Sequence, residues 1–166
     1  MSFKLPNVEA ILAVDNKFGL AKQNIIPWKN KTDLAFFKAK TINQVIIMGS
    51  KTFLSLPKSE PLKDRINIVI TNNVFKFSNI YEKYKDLIFV NKEHVLNLLK
   101  YCYKDKTIFI IGGNQIYNML LPYCSKIWLT QIKSDFHCDL IFDYNISNLN
   151  KFIIFEDDEL KIMQLE

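Results

Sequence analysis

Asp33 is the only acid in the run Ile26-Pro27-Trp28-Lys29-Asn30-Lys31-Thr32-Asp33-Leu34-Ala35-Phe36-Phe37-Lys38. A carboxyl set among Leu and Phe side chains loses hydration and holds its proton more tightly, which suits proton delivery in a cleft. Acidic residues are also favoured in the first turn of a helix, where they cap and complement the dipole. Taken alone, Asp33 leaves both readings open. A second cluster is Ile110-Ile111-Gly112-Gly113-Asn114-Gln115-Ile116-Tyr117. An apolar strand there ends in two glycines and a helix begins at once, so backbone N–H groups can approach a phosphate closely. A tight connection that needs only flexible backbone is the plainer alternative.

Met48-Gly49-Ser50-Lys51-Thr52 repeats that logic, with a cation and two hydroxyls after the glycine. It lacks the upstream glycine of a P-loop, and the dinucleotide fingerprint G-x-G-x-x-G is absent from the chain. A nucleotide here would be held by two separate strand-to-helix turns. His94 and His137 have no ligand spacing to Cys or acidic partners, so no metal site is expected. No Gly-x-Ser-x-Gly elbow occurs either.

Positioning these groups requires alternating strands and helices. Short apolar runs at Val8–Val14, Val45–Met48, Ile66–Ile70, Leu87–Val90, Thr107–Ile111 and Ile127–Ile132 have the length and composition of buried strands. Helical spacing is expected over Thr32–Lys40, Glu93–Tyr103 and Asn114–Leu121, the last stopping before Pro122. Phe152–Phe155, an acidic turn and Leu160–Leu165 predict a C-terminal hairpin. The expected fold is a three-layer α/β domain over residues 1–166. Its central, mostly parallel (mixed) sheet would have about eight strands, with helices on both faces and the antiparallel hairpin at the end.

Composition narrows the function classes. The formal charge of +5 comes from dispersed lysines, with no zinc-finger spacing or basic arm, so nucleic-acid binding is not expected. No apolar run reaches the roughly 18 residues of a membrane span. Cys102, Cys124 and Cys138 are odd in number and widely spaced, which fits reduced thiols in the cytoplasm better than a disulfide framework.

Together the ordered motifs resemble the dihydrofolate reductase family from about Val8 to Phe142. The resemblance rests on the loop Gly19-Leu20-Ala21-Lys22-Gln23-Asn24-Ile25-Ile26-Pro27-Trp28 and on the acid-bearing helix Thr32-Asp33-Leu34-Ala35-Phe36-Phe37-Lys38. It extends to Met48-Gly49-Ser50-Lys51-Thr52-Phe53, Leu62, Arg65, Asn67-Ile68-Val69-Ile70-Thr71, the glycine pair and Trp128-Leu129-Thr130. It implies an NADPH-dependent reductase that converts dihydrofolate to tetrahydrofolate, a monomer with no further partner.

By that resemblance Asp33 accepts hydrogen bonds from the pterin and assists protonation of N5. Trp28 orients a water, and Thr130 shares the hydrogen bonding around Asp33. Ile11 and Ile111 offer backbone carbonyls, while Leu34, Phe37, Leu56 and Leu62 line the pocket. Arg65 takes the glutamate carboxylate, and Tyr117 lies near the nicotinamide. Ala13 and Leu20 border the nicotinamide. Gly112, Gly113, Asn114, Gln115 and Ile116 meet the pyrophosphate, with a cis link between the glycines. Gly49, Ser50, Lys51 and Thr52 hold phosphates from the other side, and Lys51 with Thr71 and Asn72 recognises the 2′-phosphate.

Ser50 stands where the family often has Arg, which leaves Lys51 as the main cation. Ala21 and Asn24 replace loop glycines. A reductase of the same fold acting on a pyrimidine intermediate of riboflavin synthesis is the nearest rival, and Asp33, Pro27-Trp28 and Arg65 speak against it. A non-catalytic relative would be expected to lack the pocket acid.

Overall fold

The structure, a computed structural model, describes residues 3–166. Ten strands form among the described residues: β1 (Leu5–Val14), β2 (Gly19–Ala21), β3 (Val45–Gly49), β4 (Ile66–Ile70), β5 (Leu87–Val90), β6 (Ile108–Ile110), β7 (Cys124–Ile132), β8 (Leu140–Ile141), β9 (Lys151–Glu156) and β10 (Leu160–Leu165). The helices are α1 (Lys31–Thr41), α2 (Ser50–Ser55), α3 (Val74–Ile80), α4 (Val95–Tyr101) and α5 (Asn114–Leu120). Eight strands make the main sheet in the order β5-β4-β3-β6-β1-β7-β10-β9, and β2 pairs with β8 in a separate two-stranded sheet.

The main sheet is parallel from β5 through β7, because each crossover there carries a chain segment over one face. β10 runs antiparallel to β7 and β9 antiparallel to β10, which is the expected terminal hairpin. Alternate residues serve opposite faces, as the two-residue strand period requires. Ile46, Met48 and Val69 pack with Phe37 of α1, Phe53 of α2 and Phe77 of α3. Val45, Ile47, Ile108 and Ile110 pack with Val95 and Leu99 of α4 and with Tyr117 and Leu120 of α5. The three layers follow. Each such side chain contributes roughly 1.5–3 kcal/mol by leaving water, so the sheet centre is the rigid platform under the loops at its strand ends.

α1 begins because the Asn30 side chain accepts the Asp33 N–H at 3.0 Å, and Lys38 and Lys40 in its last turn complement the dipole. Two expectations need correction. Glu93–Tyr103 is not one helix: a 3-10 turn at Lys92–His94, with Asn91 accepting the Glu93 N–H, precedes α4, and the chain becomes extended at Cys102. The helix from Asn114 ends at Leu120, where a 3-10 turn over Leu121–Tyr123 accommodates Pro122. Among the described residues, no helix is long and apolar enough to cross a membrane.

Candidate active site

The carboxyl of Asp33 sits in the first turn of α1, where Asn30 already supplies the cap. Capping therefore does not occupy it. Burial pushes its pKa above the ordinary 3.8, and the Thr130 hydroxyl on β7 opposes that rise by hydrogen bonding. Thr130 is only 2% exposed. Residue 130 stands beside Ala13 of β1 in the parallel register, and Trp128 beside Ile11. Helix α1 and strands β1 and β7 thus bring Asp33, Thr130 and Ile11 together.

The Tyr117 hydroxyl donates to the Ile11 carbonyl at 2.9 Å, so that carbonyl already carries one bond and keeps a second lone pair. Burial, with the nearby Asp33 and Cys124, pushes the Tyr117 phenol upward, and it stays a donor. Its ring lies 3.1 Å from where a Cβ on Gly112 would stand. Tyr117 therefore joins the acid to the glycine turn from beneath, as a buried strut against the sheet.

Gly112 has φ +112°, a conformation that side chains rarely adopt, and its bond to Gly113 is cis, as the resemblance implies. The Gly49 N–H donates to the Gly112 carbonyl at 2.8 Å. A Cβ on Gly49 would crowd Ile116 at 3.2 Å, and one on Gly113 would lie 3.5 Å from Thr52 Oγ1. The two strand-to-helix turns are thus one continuous cradle. Neither α2 nor α5 has a side-chain cap, so their first-turn N–H groups are free to meet an anion.

Asn114 Oδ1 is the buried side-chain oxygen without a hydrogen-bond partner among the described residues, and it lies at this cradle. An orphaned polar atom, close-approach glycines and the exposed cation of Lys51 fit a phosphate-bearing cofactor such as NADPH. Gln115 is exposed beside them, Ser50 is partly exposed, and Leu20 is buried below Tyr117 in the same core cluster. Thr71 is buried and its hydroxyl accepts the Asn73 N–H at 3.0 Å, while Asn72 is exposed. The sequence offered no sign of that local bond.

On the other side of α1, Phe37, Leu56, Leu62 and Ile111 are partly buried around one apolar cluster. Leu34 is exposed, and Trp28 packs on Phe136 with ring centroids 5.5 Å apart. A cavity of about 370 Å³ opens between Lys38 of α1, Ile42 just after it, and the segment from Pro57 to Arg65. Arg65 donates to the Lys63 carbonyl and to Thr41 Oγ1, and it has no ion-pair partner among the described residues. Asp33 does not line this cavity. The two lie at opposite ends of α1, roughly 12 Å apart at 1.5 Å per residue.

Two groups with clear structural work lay outside the sequence reading of the site. Asp15, 1% exposed, accepts backbone N–H groups from Lys17, Gly19 and Phe136. It thereby ties the loop before Trp28 to the segment after β7. Burial pushes its carboxyl upward, but those hydrogen bonds and one from the Cys138 thiol outweigh burial and hold its pKa below 3.8. Asp139 continues the tie: it accepts the Gln23 N–H at 3.0 Å and its own N–H donates to the Ala21 carbonyl. An Asp at the end of an apolar strand was the only signal available for the first, and none existed for the second.

The family described as dihydrofolate reductase matches residues 7–162. The dihydrofolate reductase of Pneumocystis carinii is 34% identical over 152 residues, covering 80% of this chain and 71% of the relative. That of Bacillus subtilis (strain 168) is 33% identical over 145 residues, covering 85% and 79%. A bifunctional dihydrofolate reductase-thymidylate synthase from Zea mays is 35% identical over 147 residues, covering 80% of this chain but 28% of that longer protein. A solved dihydrofolate reductase from Enterococcus faecalis, complexed with NADP(H) and RAB-propyl, superposes with a TM-score of 0.77 at 26% identity and covers 100% of this chain and 98% of its own. A family match across most of the sequence, on a shared fold with the acid and the paired glycines in place, leaves one assignment: this chain belongs to the dihydrofolate reductase family.

Proposed function

We propose that this chain reduces 7,8-dihydrofolate to 5,6,7,8-tetrahydrofolate with NADPH as reductant, and so serves one-carbon metabolism and thymidylate synthesis. The observation that carries the reading is the desolvated carboxyl of Asp33, raised in pKa and linked through Tyr117 and Ile11 to the Gly112–Gly113 turn. NADPH, when bound, supplies the hydride that C6 of the substrate receives. The chain supplies the rest. Asp33 holds the pterin by accepting its N–H groups, and a proton reaches N5 through water in its field. Thr130 fixes the Asp33 carboxyl, and Trp28 flanks the entrance.

Ile11 and Ile111 present carbonyls at the ends of β1 and β6. Arg65 pairs with the carboxylate of the glutamate tail from the end of α1 away from Asp33, where it bonds Thr41. Gly49 to Thr52 and Gly112 to Ile116 grip the cofactor's phosphates, with Lys51 at the 2′-phosphate. Ala13 and Leu20 border the nicotinamide. All these groups come from one chain, so the reaction needs no second copy. The unpaired thiols of Cys102, Cys124 and Cys138 support a reducing, cytoplasmic setting.

The test is consumption of NADPH, followed by its near-ultraviolet absorbance, with folded protein and dihydrofolate. We expect substrate-dependent loss of absorbance. Folded protein that oxidises NADPH only with a pyrimidine intermediate, or not at all, would refute the proposal.

A further inference from the structure

We infer, granting Arg65 the role proposed for it, that Asn67 is a positioning residue whose buried amide presets Arg65 to receive the anionic tail of the substrate. β4 reads Ile-Asn-Ile-Val-Ile, and Asn67 is 0% exposed between Ile46 of β3 and Leu87 of β5. Asn is a poor strand former, and an amide is costly to bury unless its polar atoms are bonded. Here each is bonded. Asn67 Oδ1 accepts the Leu62 N–H at 2.9 Å, and Nδ2 donates to the Leu62 and Arg65 carbonyls, each at 2.9 Å. The oxygen and both N–H groups of the side chain are thus committed to one short loop, Leu62 to Arg65.

Local preference would not hold the approach to Arg65 in shape. Lys58, Ser59 and Asp64 have φ of 58°, 50° and 60°, in the left-handed region that side chains disfavour. For Leu62 the Asn67 amide stands in for a neighbouring strand, exchanging both backbone bonds with it as a ladder partner would. Its third bond fixes the Arg65 carbonyl. From the other side the Asn43 N–H donates to the Asp64 carbonyl at 2.7 Å. With its backbone fixed, Arg65 donates through Nε to the Lys63 carbonyl at 2.9 Å and through Nη1 to Thr41 Oγ1 at 3.1 Å. Thr41 is itself 0% exposed and donates its hydroxyl to the Phe37 carbonyl at 2.8 Å, so its oxygen faces Arg65 as an acceptor. Two of the five guanidinium N–H groups therefore hold posture, and three remain for an anion.

Leu62 and Arg65 both line the cavity beside α1, and Asn67 does not. Fully buried beneath the loop, Asn67 touches no ligand and acts only through the residues above it. A guanidinium already held in place loses less freedom when it meets a carboxylate, and that difference appears as affinity. Asp33 stands at the opposite end of α1, so the pterin ring is gripped and protonated without help from this loop. Asn67 therefore sets how much the tail adds to substrate binding, and leaves the reacting end of the substrate alone.

The experiment compares N67A, N67D, R65L and the double variant N67A/R65L with wild type in steady-state oxidation of NADPH. Two substrates are used: dihydrofolate, and a 6-methyl dihydropterin that has the ring and no tail. Thermal unfolding with and without NADPH shows which variants fold and bind cofactor. N67A should raise KM for dihydrofolate about tenfold, the scale of a weakened charge-assisted contact, with kcat nearly unchanged. The constants for the tail-less substrate should stay at wild-type values. N67D keeps the acceptor for the Leu62 N–H and should lose less than N67A. The double variant should fall well short of the product of the two single losses, because the group that Asn67 positions is gone. An equal loss with the tail-less substrate, a loss confined to kcat, or single losses that multiply in the double variant would each overturn the inference. Failure of both Asn67 variants to fold would overturn it too, since the amide would then serve the whole domain. If R65L leaves KM for dihydrofolate unchanged, the role of Arg65 falls and that of Asn67 with it. If R65L raises KM and N67A does not, Arg65 keeps its role and only Asn67 loses its own.

Discussion

Asp33 shows how one residue can be set for chemistry at the expense of stability. An ordinary aspartate titrates at 3.8, and burial against α1 and β7 raises the native value, with Thr130 pulling partly back. Between those two values the folded chain holds a proton that the unfolded chain has released. Above them, the buried charge counts against the fold. D33N should therefore melt higher than wild type at neutral pH, and the gap should close as the pH falls below the ordinary aspartate value. The same variant should lose roughly 100-fold or more in turnover near neutrality, the scale of a displaced proton donor. Acid should partly rescue it by supplying protonated substrate. Calorimetry and steady-state rates across pH check both halves; undiminished turnover at neutral pH would remove Asp33 from the reaction. Before the structure, Asp33 could be a cap or an acid. Asn30 settles the capping question, because it occupies the N-cap and its side chain accepts Asp33's own backbone N–H, leaving the Asp33 carboxyl free of that role.

At the scale of elements, the site depends on two clamps. One fixes the far end of α1: Lys40 Nζ lies 3.5 Å from the centroid of the Trp128 ring, whose Nε1 donates to Glu9 at 2.7 Å. Burial lowers the Lys40 pKa, and Glu9 works against that shift. Such a stack holds a helix at a fixed height over β1 and β7, and so fixes Asp33 two turns earlier. The other clamp is Asp15, which joins the loop from Asn16 to Trp28 to the segment after β7. A Cβ on Gly19 would stand 2.6 Å from Cys138 Sγ, which shows how closely the two segments meet. Asp15→Ala would strand three N–H donors, of which that of Gly19 is buried, and should cost about 1–3 kcal/mol in denaturant unfolding. Because the native pKa of Asp15 is depressed, its contribution is present above 3.8 and fades as the pH falls through the lower native value. The variant's deficit should shrink in acid, and a deficit independent of pH would exclude the carboxylate as its source. The six buried strands were legible because apolar runs of strand length leave little alternative. α3 was not: Val-Phe-Lys-Phe-Ser-Asn-Ile has the β-branched and aromatic content of a strand and no capping side chain. β2 and β8 were invisible for a different reason, since short pairs such as these are created by the Asp15 and Asp139 contacts and not by local preference.

For the whole molecule, the two glycine turns matter because they end strands that belong together. β3 and β6 are sheet neighbours although the chain forms β4 and β5 between them, so Gly49 and Gly112 meet only once the sheet has closed. A ligand gripped by both turns therefore recognises the assembled sheet and not either segment. Binding to the folded state alone stabilises it by mass action, about 2.7 kcal/mol at one hundred times the dissociation constant. For a chain of this size that corresponds to a melting shift of roughly 5–10 °C. NADPH should produce such a shift in thermal unfolding, and NADH a smaller one at equal concentration. Lys51 is the exposed cation of this cradle and Ser50 brings no charge, so discrimination between the two cofactors should fall on one side chain. Lys51→Ala should then reduce the NADPH shift while leaving the NADH shift nearly intact, a difference of about 1–2 kcal/mol for one charge-assisted contact to phosphate. Equal losses for both cofactors would place Lys51 at the pyrophosphate, which they share, and would leave the 2′-phosphate to other groups.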